Sequence, residues 1–151
     1  WALRDSYEGA YERFWDDFRT RVPMSRPDDD ELVGTYGVAA CFSAADDGTV
    51  RLPFDLATGR LVPEVWERWL AWDPVRMVAR HADALRGMRA IYIDAGRSDD
   101  YHLDLGAEAM RRELAAIGVD DIRFELFDGT HSGIDYRYPL SLTYLAERLS
   151  D

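Results

Sequence analysis

The sequence of 151 residues contains no lysine, no asparagine and no glutamine, so all 18 of its basic side chains are arginine. Against these stand 29 acidic side chains, which gives a formal net charge of -11. A chain this acidic is repelled by polyphosphate and by anionic lipid headgroups, and it has no basic run. The composition therefore argues against nucleic-acid partners and against binding to a membrane surface.

Long apolar runs and cysteine pairs are missing as well. The longest uninterrupted apolar runs span only a few residues, whereas crossing a bilayer as a helix takes about 20. Cys41 is the single cysteine, so it has neither a disulfide partner nor a second thiol for zinc. We expect a soluble chain with the cytoplasm as its default compartment, and neither a metal nor a cofactor. The sequence leaves the oligomeric state open.

Residues 1–88 are predicted to form a mostly helical region with one irregular segment. Large apolar residues recur at helical spacing from Asp5 to Arg19. An acidic start at 28–31 predicts a second helix, and Pro63 is a suitable first residue for a third. Between these two, turn signals predict an irregular stretch or a small hairpin.

Residues 89–151 have the pattern of two strands that alternate with two helices. A short apolar run at 89–94 and an alternating run at 122–127 predict the strands. Apolar spacing predicts one helix over 101–118 and another at the end of the chain. Because a strand, a helix and a strand in this order form a parallel crossover unit, we predict an α/β fold with an N-terminal helical insert.

An acidic residue and a histidine follow these two predicted strands. Asp99 lies in the loop after the first strand, and His131 lies in the loop after the second. Functional groups of open α/β sheets gather at the carboxyl ends of the strands. A carboxylate bound to one imidazole nitrogen fixes the tautomer and leaves the other nitrogen as a general base. The alternatives are a helix N-cap for Asp99, a role that Asp100 fits better, and a simple turn role for His131.

The residues after the insert resemble a known family. The stretches IYIDAGRSDDY (91–101), LGAEAM (105–110) and FELFDGTH (124–131) are similar to the C-terminal part of esterase-family α/β-hydrolases. That family includes S-formylglutathione hydrolases, enterochelin-esterase-like enzymes and mycolyltransferases. The segment LVPEVWERWLAWDPV (61–75) is similar to an insert that precedes the acid-bearing strand in some members. The resemblance implies an α/β-hydrolase fold and a serine carboxylic-ester hydrolase acting on a small-molecule ester.

The resemblance also assigns residues to a Ser-His-Asp triad. The family's acid falls on Asp99, three places after Gly96, and its histidine falls on His131. Asp100 is the alternative acid if the loop register differs by one residue. The resemblance likewise leaves two related functions open, an acyltransferase of the same fold and a non-enzymatic hydrolase-like binding module.

The nucleophile of such a triad lies on a G-x-S-x-G elbow, and this motif does not occur in the 151 residues. Ser43 is a weak substitute, because the Asp46-Asp47-Gly48 turn interrupts the helix that an elbow needs. We therefore expect the chain to be a fragment, with the serine upstream of residue 1 and no activity of its own. Trp1, in place of Met, agrees with this expectation.

Three aromatic residues are candidates for a substrate pocket. Trp66 and Trp69 belong to the tryptophan-rich helix, and Tyr136 follows the histidine loop. Core packing is the favoured explanation for the tryptophans, since aromatic rings bury the most area per residue. The other histidines, His81 and His102, are predicted to have surface or capping roles.

Overall fold

In the computed structural model, which describes residues 2–150, a turn at Glu8 and Gly9 interrupts the helix predicted over 5–19. Glu8 has a φ of 52° and Gly9 a φ of 76°, a left-handed conformation that ends a right-handed helix. The result is two helices, α1 (Ala2–Tyr7) and α2 (Tyr11–Arg19). The apolar spacing continues across the turn, so the periodicity alone does not reveal the break.

Residues 1–72 form the first of two compact units. Besides α1 and α2 it contains α3 (Asp29–Ser43) and α4 (Pro63–Leu70). Between α3 and α4 the chain makes only two isolated antiparallel bridges, Ala44 with Val50 and Phe54 with Leu61. The unit is held by an apolar core made of four buried residues, Leu3, Tyr7, Phe14 and Leu32.

Residues 73–151 form the second unit, which contains both strands. Its regular elements are α5 (Pro74–Met77), a 3-10 turn (Val78–His81), α6 (Ala82–Arg86), β1 (Tyr92–Gly96), α7 (Leu103–Ala116), β2 (Arg123–Phe127), a second 3-10 turn (Asp135–Arg137) and α8 (Tyr138–Leu149). β1 and β2 pair in parallel, with Tyr92 opposite Arg123 and Gly96 opposite Phe127. The predicted α/β class is confirmed at the level of a parallel strand pair joined by a helix.

The boundary between the units lies at residue 72, whereas the composition predicts a change at residue 88. The physical reason is packing, because α5 and the 3-10 turn after it contact α7. Arg86 also donates a hydrogen bond of 2.8 Å from Nε to the carbonyl oxygen of Ile117, just after α7. The two helices that directly precede β1, α5 and α6, thus belong to the strand-containing unit.

None of the helices in residues 2–150 is both long enough and apolar enough to cross a membrane.

Candidate functional site

The carboxyl ends of β1 and β2 lie side by side, because the strands are parallel and end opposite each other. The loops that follow them are joined by main-chain hydrogen bonds. The N–H of Arg97 donates to the Phe127 carbonyl oxygen at 2.9 Å, and the N–H of Ser98 donates to that of Gly129 at 3.0 Å. The backbone alone therefore holds the acid-bearing loop against the histidine-bearing loop.

This arrangement brings Asp99 and His131 into contact. The Nδ1 of His131 lies 3.1 Å from Oδ2 of Asp99. A carboxylate can only accept, so a hydrogen bond here places the imidazole proton on Nδ1 and leaves Nε2 as the basic nitrogen. The Asp99 side chain is buried, while the His131 side chain is 43% exposed. The pair combines a fixed, water-shielded acid with an accessible base.

The second carboxylate oxygen of Asp99 binds the start of α7. Oδ1 accepts hydrogen bonds from the N–H groups of Tyr101, at 2.8 Å, and Leu103, at 3.3 Å. The sequence pattern favours Asp100 as the N-cap, and that assignment was wrong. The N-cap position of α7 is His102, whose side chain makes no capping bond, and the N–H of Leu103 binds Asp99. Asp100 is exposed and makes no side-chain hydrogen bond within residues 2–150. Asp99 serves the helix with one oxygen and His131 with the other.

The surroundings of Asp99 keep its carboxyl group ionised. Burial is the largest single influence on the pKa of Asp99 and raises it. Hydrogen bonds from the Tyr101 N–H, from His131 and from the Leu103 N–H together outweigh burial, so the pKa lies below its ordinary value of 3.8. At neutral pH the acid therefore carries the negative charge that an imidazolium partner needs.

Arg137 is a buried residue near the site that the sequence analysis did not single out. Its guanidinium binds Asp94 on β1 at 3.0 Å and Glu125 on β2 at 2.6 Å. These carboxylates are opposite each other in the strand register. Arg137 also lies over the Phe127 ring, 4.5 Å from its centroid. Arg137 thereby anchors the end of the histidine-bearing loop, just before α8, to both strands.

One signal in the sequence indicated a cationic partner at this position, namely the charged Asp94 inside an otherwise apolar strand. A carboxylate in such a place needs a cationic partner. The sequence offers 18 arginines as candidates, so pattern alone does not select one.

Ser43 is a buried packing residue at the end of a helix and does not lie on a nucleophile elbow. It is the last residue of α3 and is fully buried. Its hydroxyl lies 2.9 Å from the Ala39 carbonyl oxygen and 2.5 Å from that of Arg51, and it accepts a hydrogen bond of 3.0 Å from Trp69 Nε1. A fully buried hydroxyl whose single proton is directed at a carbonyl oxygen of its own unit is not available to a substrate.

The three pocket candidates divide between the units. Trp66 and Trp69 are half-buried in the first unit, with ring centroids 6.3 Å apart, and Trp69 also packs on Phe42 at 5.5 Å. These contacts are those of packing. Tyr136 lies in the second unit, is 58% exposed and packs edge-on against Phe127. A substrate-binding role for the three stays a prediction.

The other histidines, among the residues that the structure describes, are surface residues. His81 and His102 are exposed, and His102 precedes α7 in a left-handed conformation with a φ of 58°. Within residues 2–150, no group of three or more histidine, cysteine or acidic side chains is placed to hold a metal ion.

Comparison with known proteins does not assign the chain to a family. No protein-family model matches the sequence, and no curated protein matches it either. The similarity to the esterase family therefore remains a prediction from the quoted residues.

Proposed function

We propose that this chain carries the acid and the general base of a serine carboxylic-ester hydrolase. The observation that carries the proposal is the contact of 3.1 Å between His131 and Asp99 at the ends of two parallel strands. A buried carboxylate that holds an accessible imidazole in one tautomer is the arrangement used in acyl transfer through serine. The resemblance of residues 89–138 to esterase-family α/β-hydrolases supports the same reaction class.

The reaction also needs a nucleophile, for which Ser43 is the candidate within residues 2–150 that the sequence offers. The Ser43 hydroxyl is buried and bonded within its own unit. In this part of the chain, His131 has no hydrogen-bond partner besides Asp99. We place the nucleophilic serine outside the 151 residues, on a strand-turn-helix elbow, together with the N–H groups of the oxyanion hole.

In acylation, the proton of the serine hydroxyl passes to Nε2 of His131 while the serine oxygen bonds to the ester carbonyl carbon. Collapse of the tetrahedral intermediate then breaks the bond to the alcohol oxygen, and that oxygen takes the proton from Nε2. Water repeats both steps to release the acid, and another alcohol in its place would make the protein an acyltransferase. Asp99 stays ionised throughout and stabilises the imidazolium.

The lack of a serine bonded to His131 within residues 2–150 also favours a second candidate function, a non-enzymatic binding module of the hydrolase type. Such a module would keep the Asp99–His131 contact as a structural link between its strand-end loops. The two candidates differ in whether a reactive serine accompanies the pair.

The first test uses the 151-residue chain and a short-chain nitrophenyl ester. We expect no saturable hydrolysis, because the base has no serine to activate. The variants are His131→Ala, Ser43→Ala and, as a matched histidine control, the exposed His81→Ala. Saturable turnover that disappears in both His131→Ala and Ser43→Ala would make Ser43 the nucleophile and contradict the proposal.

The second test uses the longest reading frame that contains these residues. We expect a fluorophosphonate probe to label one serine upstream of residue 1, and ester hydrolysis to be lost in His131→Ala and kept in His81→Ala. Absence of labelling and of hydrolysis across nitrophenyl esters of two to twelve carbons would exclude the hydrolase and favour the binding module.

A further inference from the structure

Tyr101 contacts both members of the acid–base pair. Its main-chain N–H donates to Oδ1 of Asp99 at 2.8 Å. Its ring packs edge-to-face with the His131 imidazole, with centroids 4.7 Å apart and planes at 74°. Among residues 2–150, no other aromatic ring packs against His131. One residue therefore touches the acid through its backbone and the base through its side chain.

The ring of Tyr101 is not part of the core. The residue is 71% exposed, the largest exposed fraction among the tyrosines that remain exposed in the second unit. Burial of aromatic area is what normally places a tyrosine in a fold. Since Tyr101 buries little, its contact with His131 is not a by-product of core packing, and its removal is expected to leave the fold intact.

The imidazole of His131 needs such a contact. A half-turn about the Cβ–Cγ bond would exchange Nδ1 for a carbon atom opposite Asp99 and break the hydrogen bond. His131 is 43% exposed. It lies two residues before Gly133, which has a positive φ of 70°. A single hydrogen bond in a glycine-containing loop restrains the ring weakly, and packing against a second ring adds a restraint that does not depend on charge.

We infer that Tyr101 is a positioning residue, whose ring holds the His131 imidazole with Nδ1 toward Asp99 while its N–H holds the carboxylate. Any effect of Tyr101 on catalysis rests on the proposed function. Its effect on the orientation of the imidazole does not rest on that function, and it can be measured in the 151-residue chain without an activity assay.

The test compares Tyr101→Phe, which keeps the ring, with Tyr101→Leu, which keeps apolar bulk but removes the ring. Tyr138→Leu is the matched control, because Tyr138 is 55% exposed and lies in α8. The readout is the tautomer of His131, measured from its imidazole ¹⁵N chemical shifts at neutral pH. We expect mainly the Nδ1–H form in the wild type, Tyr101→Phe and Tyr138→Leu. In Tyr101→Leu the population with the proton on Nε2 should rise about twofold to tenfold, which is the range for loss of one aromatic pair.

Two results would overturn the positioning role. One is an unchanged tautomer ratio in Tyr101→Leu. The other is loss of the dispersed amide spectrum in that variant, because the ring would then be a structural element of the fold.

The tautomer of His131 in an Asp99→Asn variant distinguishes a wrong role for Tyr101 from a wrong proposed function. A change in tautomer with Asp99→Asn but none with Tyr101→Leu would overturn only the role of Tyr101. No change with either variant would overturn the acid–base pair itself. In the longer reading frame, a positioning residue predicts that Tyr101→Leu lowers kcat and leaves KM unchanged, with full rescue by Tyr101→Phe.

Discussion

Gly96 lies so close to Gly129 that a Cβ atom at Gly96 would overlap the carbonyl oxygen of Gly129, and it would lie 2.6 Å from that of Thr130. Gly96 ends β1, three residues before the acid of the pair. Only glycine allows the two strand-end loops to approach this closely. The contact between Asp99 and His131 thus depends on a residue with no side chain.

Gly96→Ala is expected to force the two loops apart, since the obstructing atoms belong to the backbone and cannot rotate away. We expect a loss of about 2 kcal/mol or more in the free energy of unfolding, measured with urea, in the upper range for overpacked sites. The matched control is Gly106→Ala in α7, where an added Cβ meets nothing within 4 Å. That variant should gain about 0.5–1 kcal/mol from helix propensity. Equal stability of Gly96→Ala and the wild type would refute the close approach.

Arg137→Met should destabilise the second unit by leaving Asp94 and Glu125 facing each other across the strands. We expect a loss of about 2–3 kcal/mol, less than for a fully buried pair because Glu125 is partly exposed. Arg137→Lys should recover only part of it, since an ammonium group lacks the planar fork that reaches both carboxylates.

The control for Arg137 is Arg148→Met, which removes an exposed ion pair with Asp121. Pairs of this kind contribute less than about 1 kcal/mol. Urea unfolding of the three variants measures the difference. An Arg137→Met variant no less stable than Arg148→Met would show that the bridge does not hold the loop.

The first unit should lose stability in acid through Asp29. The Arg21 guanidinium binds both oxygens of the buried Asp29 carboxylate at 2.5 Å. Chiefly through these bonds, the pKa of Asp29 falls from 3.8 to about 2. A carboxyl group whose pKa is lower in the folded than in the unfolded protein stabilises the fold at any pH above the unfolded pKa. This stabilisation disappears as the pH falls toward the pKa of the folded state. The advantage of the wild type over Asp29→Asn should therefore be full at pH 6 and shrink between pH 4 and pH 2.

Tryptophan fluorescence of urea unfolding follows this difference across the pH range. The control is Asp30→Asn, because Asp30 is the exposed neighbour in the same helix turn. A gap between the wild type and Asp29→Asn that stays constant down to pH 2 would contradict the role of the Arg21 pair.

Ser43→Ala should affect stability and not catalysis. It leaves the part-buried Trp69 Nε1–H and the Arg51 carbonyl oxygen without the hydroxyl they bind. The expected cost is about 1–3 kcal/mol in the free energy of unfolding. Ser6→Ala, on the exposed side of α1, is the control and should change little. Loss of ester hydrolysis in the longer reading frame without loss of stability would instead indicate a chemical role for Ser43.

The sequence predicts the meeting of Asp99 and His131 because parallel strands bring their carboxyl ends to one edge, whatever the rest of the fold does. It does not predict the break at Glu8 and Gly9, because the apolar spacing is continuous there. The partners of Arg137 and the ring contact of Tyr101 depend on how the loops return to the sheet. Such contacts are set by tertiary structure and leave no periodic trace in the chain.

The division of roles between Asp99 and Asp100 illustrates the same limit. Both residues suit a helix start, and the pattern favours the second for the cap. In the structure His102 is the N-cap position of α7, while the two oxygens of Asp99 bind the N–H of Leu103 and the ring of His131. That one carboxylate binds both the start of α7 and His131 is a feature of the tertiary structure. The sequence cannot show which of two adjacent aspartates does so.

The most direct test of Asp99 as the acid paired with His131 is the kcat for ester hydrolysis by the longer reading frame that carries either Asp99→Asn or Asp100→Asn. The two variants make the same chemical change at adjacent residues. If Asp99 orients His131, Asp99→Asn should lower kcat by about 10³–10⁴-fold while Asp100→Asn stays within about threefold of the wild type. Equal effects of the two variants, or a larger loss with Asp100→Asn, would contradict the assignment of Asp99 as the acid of the pair.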